Sequence, residues 1–192
     1  MKRAVVFSVA GVLVLGAACS QQVESPFRLT ATIQDIMDTE VDPSADYLWE
    51  SVGYIATTAG VDDRQPRTDE EWATARRNAM TLVEATNLLV MEGRRVAAPG
   101  KSLDASELAG ISSPDEIQKS IDGSRTTFIA LAHGLHDAGI EMLKAVEAKN
   151  PVSMVEAGEK LDSACEACHR TYWYPNAPEP TKVYDEKKEE KK

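Results

Sequence analysis

The chain has 192 residues, with 31 Asp and Glu against 21 Lys and Arg and a formal net charge of −10 at pH 7. Such an anionic surface argues against nucleic acid and anionic lipid as electrostatic partners. The length suffices for one domain with its own core, and three cysteines are too few for a disulfide framework.

Lys2 and Arg3 precede an apolar run from Ala4 to Ala18, too short for an ordinary transmembrane helix. A basic start, an apolar middle and small residues at the end make residues 1–18 a secretory signal peptide. The signal closes on Leu15-Gly16-Ala17-Ala18-Cys19, which resembles a bacterial lipobox. By that resemblance Cys19 is the lipidated first residue of a periplasmic protein anchored to a membrane. Plain cleavage, leaving a free thiol, is the alternative. Loss of two basic residues takes the mature chain to a formal −12. Residues 19–27 then form a polar tether.

Four apolar stripes of helical period follow. Segment A carries Leu29, Ile33, Met37, Val41, Ala45, Leu48, Val52 and Ile55, interrupted by Asp42-Pro43. A proline there predicts either a kink or a fresh start capped by Asp42. Segment B opens on the capping box Thr68-Asp69-Glu70-Glu71 and continues through Trp72, Ala75, Ala79, Leu82, Thr86 and Leu89. Segment C opens on Ser113-Pro114-Asp115-Glu116 and runs from Ile117 to Ala145, with Gly123 as a possible break. Segment D starts at Asn150-Pro151 and presents Met154, Gly158, Leu161, Cys165, Cys168 and Tyr172. Nothing alternates with period two, so strands are not expected. The pattern predicts an all-α antiparallel four-helix bundle over residues 28–176. Two long connections join its helices, near 57–67 and 93–112, the second with room to fold over something. Residues 177–192, proline-rich and then highly charged, read as a disordered tail.

The chemistry concentrates in Cys165-Glu166-Ala167-Cys168-His169. C-x-x-C-H is the spacing that attaches a c-type haem, and on a helix its three donors share one face. A thioredoxin-like motif would need a βαβ setting, and a zinc site would need a fourth ligand at finger-like spacing. The expectation is one covalent haem c, with Cys165 and Cys168 as thioethers and His169 as the iron ligand. No Met or His follows His169, so a sixth ligand comes from an earlier helix. Met154 lies 15 residues before His169 on the same helix, about 22 Å away, and cannot reach. Met37 is the foremost candidate. An empty site, Met91 and His133 are the alternatives, and core filling is the commoner fate of a methionine on a stripe.

With C-x-x-C-H on the last of four helices and Tyr172 three residues after the histidine, residues 28–174 resemble the class II c-type cytochromes, the cytochrome c prime family. The resemblance implies a four-helix bundle with haem attached on the last helix, and Met37 at the distal position of the first. Two positions that usually carry a basic residue in five-coordinate members hold Trp173 and Ile33 here. Arg28, Arg94 and Arg95 are candidates to pair with a haem propionate. The implied role is single-electron transfer in the periplasm, with no enzymatic activity and an unidentified redox partner protein. The alternative is a five-coordinate haem module binding nitric oxide or carbon monoxide. Members of the family often form homodimers, which this chain is expected to share as a possibility.

Overall fold

The computed structural model describes residues 26–58 and 60–177, so the signal peptide, Cys19 and most of the tether and tail lie outside the described residues. The described chain is mainly helical, as the stripes predict. Its elements are α1 (Ile33–Ile36), a π-helical turn (Met37–Val41), α2 (Asp42–Glu50), β1 (Gly53–Thr57), β2 (Gly60–Arg64), α3 (Asp69–Leu89), α4 (Pro114–Gly123), α5 (Arg125–Glu147) and α6 (Pro151–Tyr172). No described helix is long and apolar enough to cross a membrane.

Three helices begin on reciprocal capping boxes, Thr32 with Asp35, Thr68 with Glu71 and Ser113 with Glu116. Each satisfies two backbone donors that a helix start leaves open. The first of these was not anticipated, although Thr32-x-x-Asp35 has the right spacing. Asn150 caps α6 by accepting from the Ser153 amide at 3.1 Å.

Segment A departs from expectation in three ways. Leu29 precedes the helix and is 36% exposed, while Val52 and Ile55 follow it, Ile55 in β1. Asp42 caps nothing, because α2 has no side-chain cap and the helix runs on through it. Instead the Asp42 amide reaches back five residues to the Met37 carbonyl, a π-type bond. The wider turn moves the hydrogen-bond register just where Pro43 has no N–H to give.

The connection near 57–67 is a β-hairpin, correcting the expectation of no strands; Gly53 pairs with Arg64 and Thr57 with Gly60. Two of its pairs set an apolar or aromatic residue opposite an aspartate (Tyr54 opposite Asp63, Ile55 opposite Asp62) and only Ala56 with Val61 pairs two apolar residues, so no continuous apolar face announces it. Segment C is two helices. Ser124 leaves helical geometry at φ −136° and ψ 43°, next to Gly123, and its hydroxyl lies 3.1 Å from that of Tyr172.

The core runs along the helices. α3 packs on α5, α5 on α6, and α2 on both α3 and α6. Leu48, Leu82, Met142, Met154 and Leu161 are fully enclosed. At the α3–α5 contact, a Cβ on Gly139 would stand 2.8 Å from Leu82 Cδ2, so only glycine lets the helices approach this closely. Met154 is core filling, fully buried and absent from the lining of the cleft that holds His169.

Candidate functional site: an apolar cleft at one end of the helices

The start of α1, the end of α3, the start of α5 and the end of α6 meet at one end of the molecule, where they enclose a thin apolar cleft. Its empty space, mouth included, is about 750 Å³, of which only about 60 Å³ is wide enough for the centre of a water molecule. Met37 contributes one wall from the first helix; Cys165, Cys168 and His169 contribute another from the last. Phe128, Leu131 and Leu135 of α5 and Ile117 and Ile121 of α4 complete the apolar lining.

The segment 93–112 covers this end, as its length suggested. The amides of Ile33 and Gln34 donate to the carbonyls of Arg95 and Val96 at 2.8 and 2.9 Å. The Val96 amide donates to Gln118 of α4 at 2.9 Å, and the Ser112 amide to the Trp173 carbonyl at 2.7 Å. Between these ties Val96 and Leu103 turn inward, buried against the cleft. The segment is a strap stitched to α1, α4 and α6 together.

Arg94 is the buried pin of that strap. Its guanidinium donates to the carbonyls of Leu88 and Ala31 and to the Met91 sulfur, 3.3 Å away. Arg94 is thereby used up inside the fold, which corrects its candidacy as a propionate partner. Arg28 and Arg95 are exposed, and neither lines the cleft.

The alternatives for a sixth ligand separate cleanly. Met91 holds Arg94 and does not line the cleft. His133 comes early in α5, as a break at Gly123 implies, yet it is exposed while its neighbours Leu131 and Ala132 line the cleft. A one-residue step on a helix turns a side chain by about 100°. Met37 alone of the three faces the cleft that His169 faces.

Burial dominates the titration of the three motif residues. It pushes the Cys165 thiol up to about 12, helped by the carboxylates of Asp42 and Asp162, and the Cys168 thiol up to about 11. Both thiols therefore stand protonated at neutral pH in this setting. Burial also pushes the His169 imidazole down, against the pull of Asp42 and Glu166, so that its neutral, lone-pair-bearing form prevails. Among the described residues no three His, Cys, Asp or Glu side chains converge to hold a metal ion.

Around His169 the chain is braced. Trp173 and Tyr174 lie 5.6 and 6.1 Å from its ring, centre to centre. The Tyr174 hydroxyl and the Arg170 guanidinium both donate to Glu166. Tyr172, buried, packs edge-on against Phe128 at 5.6 Å. Asp42, one turn beyond Met37, was not singled out in the sequence as part of the site. Although the residue as a whole is exposed, burial against the cleft raises its carboxyl, with Asp46, Asp38 and Asp104 adding and His169 opposing. Only its distance from the motif in sequence hid it.

No family model matches the chain, and no curated protein or solved structure matches it either.

Proposed function

We propose that this protein is a c-type cytochrome of the four-helix-bundle kind, carrying one covalent haem on its last helix and transferring single electrons. One observation carries the reading: Met37 from the first helix and Cys165, Cys168 and His169 from the last line a single apolar cleft. When bound, haem supplies a one-electron iron centre whose potential its axial ligands and surroundings tune. Cys165 and Cys168, protonated thiols a helical turn apart, would hold the ring by thioethers. His169 would offer its neutral imidazole to the iron, and Met37 its sulfur from the facing wall. Phe128, Tyr172 and Trp173 exclude water, and the strap at 93–112 seals the end.

The leader and Cys19 add that the protein is periplasmic and held to a membrane by lipid. The acidic surface suits a redox partner with a basic docking patch.

The test is an absorption spectrum of the mature protein, ferric and ferrous, with and without carbon monoxide. A low-spin haem that resists carbon monoxide and becomes high-spin in Met37→Leu supports this reading. A high-spin haem that binds carbon monoxide at once makes the protein a gas-binding module, with Met37 as a steric gate. A colourless protein of unmodified mass removes the cytochrome reading altogether.

A further inference from the structure

The described chain enters at the same end of the molecule as the cleft, and this decides which way a lipid-anchored protein faces. The Ala31 carbonyl accepts from Arg94, and the Leu29 side chain lies 3.6 Å from where a Cβ on Gly93 would stand. Residues 29–34 thus run along the root of the strap, beside the cleft. The hairpin and the α5–α6 turn lie at the opposite end, beyond the 21 residues of α3, a length of about 31 Å.

Ten residues separate Cys19 from Leu29, and ten residues span at most about 33–36 Å. For the hairpin end to touch the bilayer, those residues would have to stretch nearly straight back along the whole molecule. That arrangement sacrifices almost all their conformational freedom, whereas contact through the cleft end sacrifices little. Both ends expose apolar side chains, Tyr54 at 71% and Val61 at 69% on the hairpin, so the short tether and not apolarity chooses the cleft end. Phe27 is 56% exposed, Leu29 36% and Leu108, on the strap, 59%. Arg28, exposed and set between Phe27 and Leu29 in the chain, can reach headgroup phosphates while the apolar side chains enter the acyl boundary.

We infer that Phe27, Leu29 and Leu108 form a membrane-contact surface that turns the cleft end toward the bilayer, so that the electron partner is a membrane-held protein. The inference rests on the lipid-anchored reading above. Apolar insertion, not charge, is the driving term, because the molecule as a whole is acidic.

The experiment compares hydrogen exchange of the lipidated full-length mature protein on phosphatidylcholine vesicles with the same protein as Cys19→Ser in solution. Slowed exchange confined to residues 26–31 and 103–111 supports the inference. Slowing at 53–64, or no slowing anywhere, overturns it, as does a mature N-terminus without a lipid adduct. Vesicle partitioning of the Cys19→Ser protein should fall roughly tenfold for each of Phe27→Glu and Leu29→Glu, the loss expected for one buried apolar side chain. Tyr54→Glu, on the exposed hairpin, should leave it unchanged. Protection of the same residues without vesicles, rising with protein concentration, assigns the surface to a second copy and overturns the membrane contact. A colourless protein with the predicted protection pattern defeats the cytochrome reading and leaves the orientation standing.

Discussion

The Ser112 amide donates to the Trp173 carbonyl at 2.7 Å, fastening the last residue before the α4 capping box to the chain just beyond the motif helix. Through this contact the strap and the motif helix share one stability. Leu103, 4% exposed on the cleft side of the strap, is the side chain that wedges it down. Leu103→Ala should cost about 3 kcal/mol, a typical loss for a buried leucine. Urea unfolding reads the cost. Faster exchange at residues 93–112 than at α3 would show that the strap, not the helix core, has loosened.

Two glycines on α5 predict opposite signs. A Cβ on Gly139 meets Leu82 Cδ2 at 2.8 Å and Val83 Cγ2 at 3.0 Å, whereas one on Gly134 meets nothing within 4 Å. Gly139→Ala should therefore destabilise by about 1–3 kcal/mol through overpacking, despite alanine's better helix propensity. Gly134→Ala should stabilise by about 0.5–1 kcal/mol, the propensity gain alone. Thermal melts of both variants check the pair, and equal shifts of the same sign would contradict the α3–α5 packing.

The three capping boxes make the fold sensitive to acid. Backbone hydrogen bonds hold the carboxyls of Asp35, Glu71 and Glu116 below their ordinary values, from Thr32 at Asp35, from Arg67 and then Thr68 at Glu71, and from Ser113 at Glu116. A depressed carboxyl stabilises the fold fully above its unfolded pKa, and that contribution is lost as pH falls through the folded pKa. Urea midpoints should hence fall below about pH 4.5, the range where free carboxyls begin to protonate. Glu71→Gln and Glu116→Gln should each flatten the fall. Asp38 and Asp42 act in the opposite sense, since burial raises both and their protonation relieves the folded state.

Gly158 and Trp49 make a second close fit, where the indole N–H donates to the Gly158 carbonyl at 3.1 Å and a Cβ there would press on the ring at 3.1 Å. This is the seam between α6, which carries the motif, and α2, which continues the π turn that bears Met37. Trp49→Phe should remove one hydrogen bond, worth about 1 kcal/mol, while keeping most of the ring packing. If the seam sets the separation of Met37 from His169, the same variant should also shift the absorption spectrum of the haem-loaded protein. An unmoved spectrum would confine Trp49 to stability.

Local signals carried much of this protein. The capping residues Thr68, Ser113 and Asn150 fixed where three helices begin, and the 3.6-residue stripe named Trp72, Leu82, Leu135, Met142 and Leu161 as core, because a cap and a period are properties of a few adjacent residues. The C-x-x-C-H run is likewise legible at short range, and the haem attachment it suggests is the proposal made above. Tertiary structure alone decided the rest. The hairpin at 53–64 is held by its own backbone ladder and shows no apolar alternation to announce it. The π turn that carries the helix past Pro43 depends on a hydrogen-bond register set on both sides. Which of Met37, Met91 and His133 faces His169, and that Arg94 is spent on carbonyl oxygens, follow from how separate helices rotate against one another. A side chain's direction there is set by contacts 60 to 130 residues away, and no local spacing records them.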